Sequence, residues 1–289
     1  MLSTSIEIFF GGLMLGGIFA LLAVGFSLQY GVARVLNIGH GEFIMVGAFI
    51  AWSLVAGWSF HPLLTLLIVA PLLFVLGYAL YWTLFRSLKN KASSPAVFEG
   101  NSLLVAFGLL FIIQSLAITI WGTSIRGYSF MAYSVEIFDM RFSANRLLIL
   151  FFAVALCVIF YLFLTRTRLG KAIRASAQDP EAAGLMGVDI NRMLSLCFGL
   201  GAMMAGLAGA FYTMAYQIEA TMGLQYTIIA LVVVVLGGLG SILGSLLGGF
   251  ILGVIGSIVN SIEPGLTLAA YYALFMILLL VKPTGLFGR

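Results

Sequence analysis

Residues Leu147–Thr165 read LLILFFAVALCVIFYLFLT, and Arg166–Asp189 then read RTRLGKAIRASAQDPEAAGLMGVD. The first stretch is uncharged. As a helix it rises about 28 Å, close to the thickness of a bilayer hydrocarbon core. The second stretch opens on Arg166, Arg168, Lys171 and Arg174. An apolar run that stops at a basic cluster marks a membrane span ending on the cytoplasmic side.

The pattern recurs along the 289 residues. Apolar segments fall at roughly 6–30, 38–57, 62–85, 101–121, 145–165, 192–216, 223–240, 241–261 and 266–282. Residues are 62% hydrophobic and 8% charged, and the mean hydropathy is +1.16. A soluble domain carries roughly a quarter charged residues, so lipid is the main solvent here. Backbone polar groups in lipid are satisfied within the segment, and the ten-residue alternation of a membrane barrel is absent. The expected fold is all-α: a polytopic transmembrane bundle of about nine spans, forming one membrane domain over residues 1–289. Its weakest part is 223–261, which has to hold two short helices joined at Gly237-Gly238-Leu239-Gly240-Ser241; a re-entrant segment there is the alternative and would change the count.

With the N-terminus outside and the C-terminus cytoplasmic, Arg34, Arg86, Lys89, Lys91, Arg166, Arg168, Lys171, Arg174, Arg192, Lys282 and Arg289 lie inside. Only Arg126, Arg141 and Arg146 lie outside, with acids Glu7, Glu136, Asp139, Glu219 and Glu263. The positive-inside bias selects this orientation. No basic residue precedes Arg34, so Ile6 onward reads as a retained span. The net charge of +4 points to no nucleic-acid partner.

Glycine is abundant, at 34 residues. Gly240, Gly244 and Gly248 form one small-residue ladder. Ser241, Ser245, Gly249 and Gly253 form a second, and Ala202, Gly206 and Ala210 a third. Such ladders let helix backbones approach in lipid, either as static packing or as a sliding seam. Cys157 and Cys197 lie singly in apolar runs and suggest neither disulfide nor metal.

Three glycines and the polar Asn37, His40 and Glu42 interrupt Tyr30–Glu42. The segment reads either as a turn at the cytoplasmic surface or as a broken helix lining a cavity. Every charged residue can be placed at a segment end, Glu42 least securely. The path is therefore expected to be apolar and free of buried charge, without the intramembrane acids of a proton-coupled carrier. Gln29 and Gln114 are intraspan amides, suited to an interhelical hydrogen bond or to a solute. His40 and Glu42 lack the further ligands that a metal needs.

In the inner loop 166–191, Asp179 can cap a helix whose first turn holds Pro180 and Glu181. Ala182, Ala183, Leu185 and Met186 give it an apolar face, and Gly187 ends it. It suits either the membrane interface or a cytosolic partner. No phosphate loop is present: around Gly170-Lys171, Thr165 stands where the first glycine is required and Ala172 where Ser/Thr is required.

The loop resembles that of an ABC importer permease. Glu181-Ala182-Ala183 followed by Gly187 matches its EAAxxxG core, although the later IxLP part is absent, Cys197 standing at the isoleucine position. Leu36–Ala48 (LNIGHGEFIMVGA), Gly170–Ala175 (GKAIRA) and Gly237–Ser241 (GGLGS) are similar to the LivH-type permease family of branched-chain amino acid ABC importers, over nearly the whole chain. The resemblance implies a bacterial or archaeal cytoplasmic membrane. It also implies partners: a LivM-type second permease or a second copy, two cytosolic ATPases and an external solute-binding protein. ATP and Mg would bind the ATPases, with no cofactor and no catalytic residue on this chain. Arg174, Glu181, Ala182, Ala183 and Gly187 would couple to an ATPase, while Gln29, Asn37, His40, Glu42 and Gln114 would line the path. Relatives in the same superfamily carry urea, short amides or other amino acids. An ion-coupled secondary transporter or a membrane enzyme is the rival class.

Overall fold

The computed structural model describes residues 2–137, 140–282 and 284–287. Asp139 and Arg289, placed above by charge, lie outside them.

Twelve α-helices account for the described chain: α1 Leu2–Ala33, α2 His40–Trp58, α3 Pro62–Leu80, α4 Arg86–Lys91, α5 Pro95–Trp121, α6 Ala144–Arg166, α7 Arg168–Gln178, α8 Pro180–Leu185, α9 Ile190–Tyr212, α10 Gly223–Gly237, α11 Ile242–Ile262 and α12 Thr267–Val281. A π-helical turn, Tyr81–Phe85, joins α3 to α4 in one apolar rod, Pro62–Lys91. Among the described residues the sole sheet is a hairpin, β1 Ser134–Ile137 with β2 Met140–Ser143, in the loop between α5 and α6.

All nine apolar segments are helical. Eight are long and apolar enough to cross a bilayer; the ninth, Gly223–Gly237, is 15 residues and falls short. The helix expected from 101 begins at Pro95 instead. Ser94 accepts from Val97 N–H and caps it, which lets the first turns carry Glu99 and Asn101. Loop 166–191 folds into two helices where one was expected. Thr167 caps α7, and its Gly170, Ile173 and Ser176 face inward at helical spacing.

Helices α1 and α9 form the centre. The α9 helix packs on α1, α2 and α3, and α1 packs on α11, α9 and α6. Lipid is as apolar as leucine, so close packing holds these contacts. The ladders supply it on separate faces of α11. Gly249 and Gly253 lie on the α1 backbone at Ala20 and Gly16, whereas Gly244 and Gly248 lie on α10 at Gly237 and Val233. Gly206 lies against Gly47 of α2 and Leu73 of α3. Exposed Leu67, Val75, Leu104, Ile112, Phe151 and Leu280 line the rim that faces lipid. Cys157 and Cys197 are buried and free.

Candidate functional site

The interruption after α1 is not a surface turn. Residues 34–39 are non-helical, with Val35 and Asn37 buried, and they return into the bundle. Gly39 rests against Ala106 and Leu110, near the middle of α5. The His40 ring reaches Leu22 of α1, which stands about 16 Å along the helix from Ala33. The α2 helix therefore starts partway through the depth of the bundle. Buried non-helical backbone at that level needs polar partners.

Those partners come from the expected residues. Gln29 Nε2 donates to Phe198 O (3.1 Å), and its Oε1 accepts from Asn37 Nδ2 (3.3 Å) and faces His40 Nδ1 at 3.1 Å. His40 Nε2 donates to Leu22 O (3.1 Å), and Asn37 Oδ1 accepts from Gly39 N–H (3.1 Å). Thr227 of α10 closes the other side: its hydroxyl donates to Ile38 O (2.7 Å) and accepts from Gly41 N–H (2.8 Å). Thr227 was not singled out from the sequence, because nothing local distinguishes it from other intraspan threonines.

Glu42 requires a correction. It is 0% exposed, in the first turn of a helix that begins inside the bundle. The end of an apolar segment is not a membrane surface here, so the expected path without buried charge does not hold. Its carboxylate packs on Gly223, the first residue of α10, where a Cβ would collide with it. Gln29, Asn37, His40 and Glu42 thus gather in one buried region. Gln114 does not join them; it is half-buried on α5.

In loop 166–191, Asp179 Oδ1 accepts from Glu181 and Ala182 N–H (3.0 and 2.9 Å) and starts α8 as expected. The end is a left-handed stop. Gly187 has φ +85°, its N–H bonds Gly184 O (3.0 Å) and Val188 N–H bonds Ala183 O (3.1 Å). Of the expected apolar face, only Ala183 packs inward, whereas Leu185 and Met186 are 89% and 85% exposed. Arg174 is exposed and donates to Thr165 O (3.5 Å), near the end of α6, where a cation complements the helix dipole. A cavity of 290 Å³ beside it is lined by Gly31, Ile173, Arg174, Gly240 and Ser241.

At the opposite end, a polar cavity of 520 Å³ is lined by Arg126, Tyr128, Asn145, Tyr216 and Gln217. Burial raises the ionisation range of the Tyr128 phenol. The Arg126 guanidinium lies over Trp52, its carbon 5.1 Å from the ring centroid. Among the described residues, no group of three or more His, Cys, Asp or Glu could hold a metal ion.

Residues 8–281 match the family described as branched-chain amino acid transport system, permease component. The high-affinity branched-chain amino acid transport system permease protein LivH of Salmonella typhimurium is 28% identical, covering 97% of this chain and 94% of its own length. The corresponding protein BraD of Pseudomonas aeruginosa is 32% identical over 96% of this chain and 94% of its own. A probable branched-chain amino acid transport permease protein, LivH of Methanocaldococcus jannaschii, is 27% identical over 80% of this chain and 74% of its own. No solved structure matches.

Proposed function

Because this chain belongs to the branched-chain amino acid transport permease family, we propose that it is a membrane-spanning subunit of an ATP-driven importer of leucine, isoleucine and valine. The match runs through the spans and the inner loop alike, and that extent carries the reading. The basic asymmetry supports an N-terminus outside and loop 166–191 in the cytoplasm.

The partners are a second permease subunit or a second copy of this chain, two cytosolic ATPases that bind ATP and Mg, and an external solute-binding protein. Leu185 and Met186 stand exposed on a loop between spans, where an apolar side chain gains by entering a groove on a partner. Coupling runs through α7 and α8. Closure of the ATPase pair moves Ala183 and Gly187, and the Arg174 contact with the end of α6 passes the motion to the bundle. Solute moves by alternating access past Gln29, Asn37, His40 and Glu42. Gln114 stands apart from them and is the weakest member of that set.

Affinity purification of the tagged chain from native membranes tests the assembly. Recovery of two ATPase copies and a second permease subunit is the expected result. Recovery of the chain alone, with uptake driven by an ion gradient, would replace this reading with a secondary transporter.

A further inference from the structure

We infer that the Glu42 carboxylate takes the ammonium group of the transported amino acid as it passes through the bundle. The inference rests on the importer reading above. It adds the residue involved and the half of the zwitterion that the residue recognises.

Among the described residues, Glu42 is the one buried acid, and no lysine or arginine is buried with it. Neither Oε1 nor Oε2 has a hydrogen-bond partner. A buried carboxylate without a partner bears the full cost of leaving water, with nothing to offset it. Its neighbours are already engaged. Both His40 ring nitrogens face oxygens, on Leu22 and on Gln29, and the Thr227 hydroxyl is held by Ile38 and Gly41. The N-terminal end of α10 lends partial positive charge, yet none of its N–H groups bonds the carboxylate. Among the described residues no lysine or arginine is buried beside the carboxylate, so an ammonium brought by the solute would be its matching cation. A primary ammonium offers one full charge and three donors, which suits two free carboxylate oxygens. Urea offers donors and leaves the charge unmatched.

Access to this group requires the contact between α2 and α10 to open. A Cβ on Gly223 would strike the carboxylate, and a Cβ on Gly41 would strike the Gly223 carbonyl and Thr227. At these two glycines α2 and α10 meet at close range, with the Glu42 carboxylate and the Thr227 hydroxyl between them. Parting the two helices there would break the Thr227 bridge and uncover Glu42. At its far end α10 stops at Gly238 and Gly240, with φ +98° and +80°. The unpaired carboxylate belongs to the closed arrangement, and the solute supplies its partner when the contact opens.

The test uses the complete complex in proteoliposomes, with labelled leucine on the solute-binding protein. Glu42→Gln keeps the shape and removes the charge; Glu42→Asp keeps the charge. We expect Glu42→Gln to lower the maximal uptake rate about ten- to a hundredfold, as for a lost bond to a charged group. KM for the loaded binding protein stays unchanged, Glu42→Asp retains intermediate uptake, and the Glu42→Gln complex melts no lower than wild type. Wild-type uptake by Glu42→Gln overturns the assignment and leaves the importer reading intact. If Glu42→Gln instead melts lower or fails to assemble, and Glu42→Asp is no better, Glu42 is a packing residue and the assignment is wrong. If the wild-type complex moves urea and none of leucine, isoleucine and valine, the substrate reading falls and the ammonium assignment falls with it.

Discussion

Replacing Gly187 with valine separates backbone conformation from packing at the proposed ATPase contact. A Cβ at Gly187 would meet nothing within 4 Å, so the first side-chain atom brings no clash. The cost lies in the φ of +85°, which a residue with a Cβ adopts at roughly 1–2 kcal/mol, and a β-branched one least readily. Relaxing that strain sacrifices the Gly187–Gly184 and Val188–Ala183 bonds that close α8. A penalty of 1–2 kcal/mol is a factor of about 5–30 in the population of the closed helix. Affinity for the ATPase subunits, measured on the chain in nanodiscs, should weaken by the same factor, and uptake should fall with it. Melting of the bundle should not change, because Gly187 is exposed and outside the core. Gly187→Asn is the control, since asparagine tolerates left-handed backbone, and it should bind several-fold better than Gly187→Val. Equal behaviour of the two variants, or wild-type docking by Gly187→Val, would refute the reasoning.

Three further outcomes follow from the same structure. Ala183→Arg buries a charge under α8 where Ala183 is now packed, and it should uncouple ATP hydrolysis from uptake; unchanged coupling would place α8 at the membrane interface instead. A cysteine at exposed Gln178 should react with an impermeant thiol reagent only after permeabilisation, and one at exposed Ser124 should react in intact cells; the reverse pattern would invert the topology. Ser176, on the inward face of α7 in the same loop, is buried and would report packing rather than sidedness. Gly253→Ala drives a methyl into the Gly12 and Gly16 backbone and should destabilise the bundle by about 1–3 kcal/mol, whereas Gly108→Ala meets open space and should be neutral or slightly stabilising; similar melting of the two would argue against a tight seam between α1 and α11.

The spans were legible because an apolar run of bilayer length has few alternatives. The Asp179-Pro180-Glu181 start and the Gly187 stop of α8 were legible because caps act within one turn. The break at Gly237–Ser241 was visible from its glycines. Depth was not. Glu42 stands at the start of an apolar run, and only the return of residues 34–39 into the bundle places it inside. The Thr227 bridge spans more than 180 residues of sequence and leaves no local mark. The α7 helix left no clear mark because three basic residues, Arg168, Lys171 and Arg174, mask its i, i+3 pattern of Gly170, Ile173 and Ser176. The glycine ladders announced close contact without naming partners, since in lipid the partner is set by tertiary packing.

Uptake competition in proteoliposomes holding the complete complex tests the central claim most directly. Labelled leucine should enter only with ATP on the ATPase side, and excess unlabelled leucine, isoleucine or valine should each suppress it. Failure of all three to compete, with suppression by urea, would contradict the account.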